Sequence, residues 1–181
     1  CKSCVSGKYA NVAGSTSCTD CEAGRAMASS ITASTTSSQC GECNAGFFND
    51  VDGLSGECEL CLAGKYSNAG ATECTKCAAG LFLATPGQSG PCKDCRAGRF
   101  ASSSGANSCD PCQAGTSSEG GNRLSCPLCI LGQWQDNIES ASCKKCGRGK
   151  YRGSVGAKVE SACQSCDAGM FSDAEGASAC T

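Results

Sequence analysis

Hydrophobic positions in this chain form no long stripe. They occur singly or in short clusters among Ser, Ala, Gly, Asn and Thr, and no 3.6-residue recurrence lasts long enough to specify a helix. The longest apolar stretches, such as Ala78 to Ala84, are far too short to span a bilayer. What recurs is an aromatic at one fixed place. Tyr9, Phe48, Tyr66, Phe82, Phe100, Trp134, Tyr151 and Phe171 each stand two residues after a glycine, and only Phe47 lies elsewhere. The glycines concerned are Gly7, Gly46, Gly64, Gly80, Gly98, Gly132, Gly149 and Gly169. Gly24 and Gly115 complete the series, with Ala26 and Ser117 in the aromatic place. A glycine held at every repeat reads as a turn with positive φ, or as a close backbone approach that leaves no room for a Cβ. A second glycine often lies four residues before the next cysteine (Gly14, Gly70, Gly105 and Gly176), which reads as a second turn. The pattern predicts extended pieces of two to four residues joined by turns.

Every framework glycine follows a cysteine by three positions. The 21 cysteines fall into ten C-x-x-C pairs, beginning at 1, 18, 40, 58, 74, 92, 109, 126, 143 and 163, with Cys180 left over. Self-similarity at a near-fixed period marks a stacked or strung array. The expected fold is therefore small and disulfide-rich. It is an elongated tandem array of about ten repeats of about 17 residues, with minimal β-strands and turns and no helices of note. The array is expected to be continuous over residues 1–181. Opening at a cysteine and ending inside a broken C-x-x-C, it reads as a piece of a longer array.

Composition sharpens this picture. In 181 residues there are 21 Cys and 24 Gly but only nine aromatics, so a hydrophobic core of normal size cannot be built. The chain has no His, which removes Ser-His-Asp and Cys-His catalysis and every His-containing metal site. The formal net charge is −2 with both signs scattered, unlike a nucleic-acid footprint. No pair of carboxylates is placed by a rigid element for glycosidase-type chemistry. The chain is expected to be no enzyme and to need no cofactor.

Three chemistries compete for C-x-x-C. Zinc would require alternation of site and spacer, and the intervals show none. Thioredoxin-type redox chemistry needs one activated Cys at a helix N-terminus, not ten copies in Gly/Ser-rich loops. Structural disulfides in an oxidising compartment account best for the pattern, and imply an extracellular or cell-surface protein. Two pairings stay open. A crossed scheme (1–18 with 4–21, and onward) demands a two-repeat period. A uniform ladder joins each second Cys to the first Cys of the next pair, treats all repeats alike, and leaves only Cys1 over.

Segments such as Cys4–Tyr9 leading to Cys18, and Cys95–Phe100 leading to Cys109, resemble the ephrin-receptor-like cysteine-rich repeat. They are also similar to the short first module of tumour necrosis factor receptor cysteine-rich domains. There the C-x-x-G-x-aromatic opening is bridged to a Cys some fourteen residues on, and the aromatic packs on the disulfide. The resemblance covers the whole chain and implies the ladder. Its bridges are Cys4–Cys18, Cys21–Cys40, Cys43–Cys58, Cys61–Cys74, Cys77–Cys92, Cys95–Cys109, Cys112–Cys126, Cys129–Cys143, Cys146–Cys163 and Cys166–Cys180. The family's Pro before the framework Gly is replaced here by Ala in seven repeats. Long arrays of this Ala-Gly type resemble large surface and flagellar-hair proteins of unicellular eukaryotes.

A few features stand outside the framework. Lys8, Arg25, Lys65, Arg99 and Lys150 follow the framework Gly and would form a spaced basic stripe or simply a solvated face. Leu81 and Leu83, with Leu128, Ile130, Leu131 and Trp134, are apolar clusters that a thin repeat can scarcely hide. They are a candidate contact patch, with local packing between repeats as the alternative. Asn49, Asp50, Asp52, Gly53 and Glu57 are spaced like a calcium loop, but Phe48 takes the place of the first ligand, so no metal is expected. The Ser/Thr-rich stretch 29–38 is expected to be an exposed loop and is a candidate for O-glycans. The best-supported role is a non-catalytic structural rod in a surface stalk, filament or flagellar hair of mastigoneme type. Its partners would be other copies of itself or other filament and surface proteins. The alternative is a receptor ectodomain segment that binds a protein ligand.

Overall fold

The computed structural model describes residues 2–181, so Cys1, the cysteine that the ladder leaves over, lies outside the described residues. Ten disulfides join each second Cys of a pair to the first Cys of the next, from Cys4–Cys18 through to Cys166–Cys180. Each bridge closes a loop with a sequence separation between 13 and 19. These loops number the repeats, one to ten. Contacts divide the chain into two compact units, Cys1–Cys77 with Leu83–Cys92, and Ala78–Phe82 with Lys93–Thr181.

Regular structure is confined to two-residue strands. In the first unit, β1 (Lys8–Tyr9) pairs with β2 (Thr19–Asp20), β3 (Arg25–Ala26) with β4 (Gly41–Glu42), β5 (Phe47–Phe48) with β6 (Glu59–Leu60), and β7 (Lys65–Tyr66) with β8 (Thr75–Lys76). In the second, β9 (Leu81–Phe82) pairs with β10 (Lys93–Asp94), and β11 (Arg99–Phe100) with β12 (Asp110–Pro111). There too, β13 (Gln133–Trp134) pairs with β14 (Lys144–Lys145), and β15 (Lys150–Tyr151) with β16 (Gln164–Ser165). All pairs are antiparallel. Two single 3₁₀ turns, Ser37–Gln39 and Glu160–Ala162, are the only helical elements among the described residues. Hairpins this short are not stable alone.

Their stability comes from the neighbouring repeat, through backbone bonds that recur within each unit. The framework glycine N–H donates to a carbonyl of the next repeat: Gly24 to Asn49, Gly46 to Ser67, Gly115 to Gln135 and Gly132 to Arg152, at 2.7–3.0 Å. The turn of the next repeat returns a bond to the second Cys of the pair: Gly53 to Cys21, Gly70 to Cys43, Gly156 to Cys129 and Gly176 to Cys146. In each case the residue after the aromatic place both accepts the first bond and makes a further one with the following turn. That residue is buried in seven repeats: Met27, Asn49, Ser67, Leu83, Ala101, Ser118 and Gln135. The buried core of each unit is thus built from these single residues and the bridged cysteines.

The framework glycine is required for two reasons at once. Gly132 has φ +75°, and a Cβ built there would sit 1.9 Å from the Gly176 carbonyl oxygen, two repeats further along. Gly7 and Gly53 (2.1 Å), and Gly24 and Gly70 (2.3 Å), repeat the arrangement in the first unit. A solenoid of thin repeats would ordinarily touch only its nearest neighbours. Here three repeats meet at one point, because a single Cys presents its N–H to the glycine before it and its carbonyl to the turn after it.

Candidate interaction surface

The aromatic side chains cover sulfur, but the sulfur of the next repeat. Tyr9 packs against Cys21, Cys40 and Met27, and Phe82 against Cys95 and Cys109. Trp134 packs against Cys146 and Cys163 and is 8% exposed. The resemblance implied packing of the aromatic on a disulfide; the structure makes that disulfide the one that follows. Phe48, Tyr66, Phe100 and Tyr151, at the same position of the motif, are half-buried. Phe171, in repeat ten, is 62% exposed.

The expected basic stripe is largely neutralised. Each framework-adjacent residue lies across the hairpin from the residue before the second Cys of the next pair. Lys8 meets Asp20 at 2.6 Å, and Arg25 meets Glu42 at 2.8 Å. Arg99 pairs with Glu139, which also holds Arg96 at 2.7 Å. Lys65 instead faces Lys76, and Lys150 faces Ser165. These half-exposed pairs contribute at most about 1 kcal/mol each, and fix side-chain direction more than stability. A further pair holds repeat eight: Lys144 lies 2.6 Å from Asp136 and 4.6 Å above the Trp134 ring. The Lys144 hydrogen bond keeps the Asp136 carboxyl below its ordinary value of 3.8.

Glu139 shows something the sequence conceals. With φ +56° it stands where other repeats place their turn glycine, and its N–H donates to the Cys112 carbonyl at 2.9 Å. Ala33, with φ +55°, does the same for Cys4. The second turn is therefore a left-handed position even where no glycine marks it. Its spacing to the next Cys also varies, so neither residue type nor period could reveal it.

The apolar patch divides. Leu83 and Trp134 are buried between repeats, and Leu81 is half-buried. Leu128 (56%), Ile130 (62%) and Leu131 (43%) remain exposed. Asn49, a candidate calcium ligand, turns inward: its side-chain amide donates to the Arg25 and Val51 carbonyls, at 2.7 and 2.8 Å. Asp52 accepts from the Ala23 N–H at 2.8 Å. Among the described residues no three His, Cys, Asp or Glu side chains come together as a metal site, and no helix is long and apolar enough to cross a membrane.

Residues 115–163, the stretch from framework Gly115 to the end of repeat nine, match the family described as tyrosine-protein kinase ephrin type A/B receptor-like. The match covers about a quarter of the chain. No curated protein matches it. With ten regularly spaced disulfides, these features are those of an extracellular, disulfide-rich repeat domain.

Proposed function

Starting from an array of ephrin-receptor-like cysteine-rich repeats, we propose that this chain is a structural component of the cell exterior. It forms a disulfide-stapled rod in a surface stalk, filament or flagellar hair of mastigoneme type. It works by spacing and association, with other copies or other filament proteins. The observation that supports this reading most is the sameness of the junctions: one set of backbone bonds recurs from repeat to repeat in both units. A ligand-binding segment would be expected to break that regularity at its site. Stapling replaces a core: a disulfide closing a loop of about 15 residues contributes about 3 kcal/mol in the chain-entropy model. Full reduction should therefore abolish ordered structure along the whole chain, read as loss of protease resistance.

Electron microscopy of native material tests the reading. Ordered polymers with a constant repeat are expected. Monomeric particles that capture a soluble protein ligand would overturn it in favour of a receptor ectodomain. In the Ser/Thr-rich loop, Ser29, Ser30, Thr32 and Thr35 are exposed, whereas Ser34 is buried and bonded to the Thr36 carbonyl. The exposed hydroxyls are the ones expected to carry O-glycans, which peptide mass spectrometry of that loop would locate.

A further inference from the structure

Although both signs occur throughout the chain, each is concentrated in one stretch. Six of the 15 basic residues lie between 144 and 158 (Lys144, Lys145, Arg148, Lys150, Arg152 and Lys158), with no acidic residue from 140 to 159. The converse holds between 26 and 64. That stretch carries Glu42, Asp50, Asp52, Glu57 and Glu59 and no basic residue at all. Structure sharpens the contrast. Among the described residues only Lys144 of the basic group forms an ion pair, with Asp136. Lys145, Arg148 and Lys158 are exposed, and Lys150 faces Ser165 across its hairpin. In the acidic group Glu42 is taken by Arg25, while Asp50, Glu57 and Glu59 are exposed and make no ion pair.

Each charged stretch also borders exposed aliphatic side chains. Val51 (50%), Leu60 (44%) and Leu62 (68%) lie beside the acids, and Val155 (51%) and Val159 (51%) lie among and just after the bases. In repeat one the charges at the corresponding places are matched within one hairpin, Lys8 with Asp20. The charges of the two stretches are instead held apart, the acids in the first unit and the bases in the second.

We propose that the basic stretch of repeat nine and the link before it is an interaction surface for a second copy of this chain, whose acidic stretch in and around repeat three is its complement. The apolar residues form the dry centre of the contact and the charges its rim. Opposite potentials steer the two copies together and set their register. Because the two surfaces differ, the contact is heterologous, and every copy keeps one free surface of each kind for a further copy. A net charge of only −2 leaves little overall repulsion to oppose it. The inference rests on the structural reading above and gives it a molecular contact.

Sedimentation velocity on the full chain tests it with two variants. One reverses the bases (Lys145→Glu, Arg148→Glu, Lys150→Glu) and the other reverses the acids (Asp50→Lys, Glu57→Lys, Glu59→Lys). A free-thiol count equal to that of the wild-type chain and an unchanged circular dichroism spectrum certify their folds. The wild-type chain should self-associate and weaken about tenfold or more as salt is raised. Each variant alone should stay monomeric, and an equimolar mixture of the two should associate again. Assembly of either variant alone at wild-type strength would overturn the proposed contact while leaving the structural reading in place. Loss with the base reversal only, accompanied by retention of wild-type chain on heparin, would also overturn it, and would assign the basic surface to an anionic polysaccharide. A wild-type chain that stays monomeric at every salt concentration would also overturn the contact, whereas the structural reading falls only if native material shows monomeric particles that capture a soluble protein ligand.

Discussion

Repeats seven and eight sit side by side and share the cysteines and glycine of the motif but differ at its aromatic place. Repeat eight has Trp134 in the aromatic place, a regular hairpin of β13 and β14, and the Lys144–Asp136 pair above the ring. Repeat seven has Ser117 in that place, and only an isolated bridge between Thr116 and Leu128. Yet both join the next repeat identically. Gly115 donates to the Gln135 carbonyl as Gly132 does to that of Arg152, at 2.7 and 2.8 Å. Glu139 returns a bond to Cys112 as Gly156 does to Cys129. Ser117 even keeps the aromatic's position, with its hydroxyl 3.3 Å from Cys143 Sγ of the following bridge. A bridged sulfur carries no hydrogen, so the hydroxyl is the donor. The backbone junction defines the repeat, and the side chain two residues after glycine serves as a cover for the next disulfide.

If the junction is primary, breaking it should cost most. Gly132→Ala places a Cβ against the Gly176 carbonyl as well as in a left-handed conformation. A loss of more than about 4 kcal/mol is expected, the range reserved for gross structural damage. Gly149 has φ +73° but nothing within 4 Å of the same built Cβ. Gly149→Ala should therefore cost only the conformational term, about 1–2 kcal/mol. Denaturant unfolding of both unreduced variants measures the difference, and equal losses would show that contact two repeats away is unimportant.

Next comes the cover. Trp134→Ser, which gives repeat eight the side chain of repeat seven, exposes the Cys146–Cys163 bridge that the ring packs against. A loss of about 3–5 kcal/mol is expected for removing a buried Trp. The reciprocal Ser117→Tyr should gain about 1 kcal/mol by burying apolar surface over Cys143. Destabilisation by Ser117→Tyr would show that repeat seven has no room for the cover its neighbour uses.

The smallest effect concerns the Lys144 clamp. Because the folded Asp136 carboxyl lies below its ordinary 3.8, its contribution is complete above that value and is lost as pH falls through the lowered one. Trp134, the single tryptophan, should report the change in fluorescence. The acid-side step should vanish in Asp136→Asn. A step of unchanged size in that variant would assign it to another group.

How much of this was legible follows from the same comparison. Cysteine and glycine recur because both are chemically irreplaceable: one forms the staple, the other tolerates a carbonyl where a Cβ would be. The aromatic was legible as a repeat mark, but spacing alone cannot say whether it covers its own bridge or the next. The buried place after it was not legible, since Met27, Asn49, Leu83 and Gln135 share only a backbone carbonyl in the right position. Polar members such as Gln135 are tolerated because their side chains bond locally, here to the Ser142 carbonyl at 2.7 Å. The paired charges of the basic stripe escaped a linear reading for a similar reason: Lys8 and Asp20 become neighbours only when the hairpin closes.

Each repeat is held by its neighbours through the backbone, and amide hydrogen exchange on the native, unreduced chain reads those bonds one by one. The N–H groups of Gly24, Gly46, Gly115 and Gly132, which donate across a junction, should be as protected as the amides within the hairpins. The Gly169 N–H, in the last repeat, should exchange freely. Protection confined to the hairpins, with the junction glycines exchanging at open-chain rates, would contradict the account.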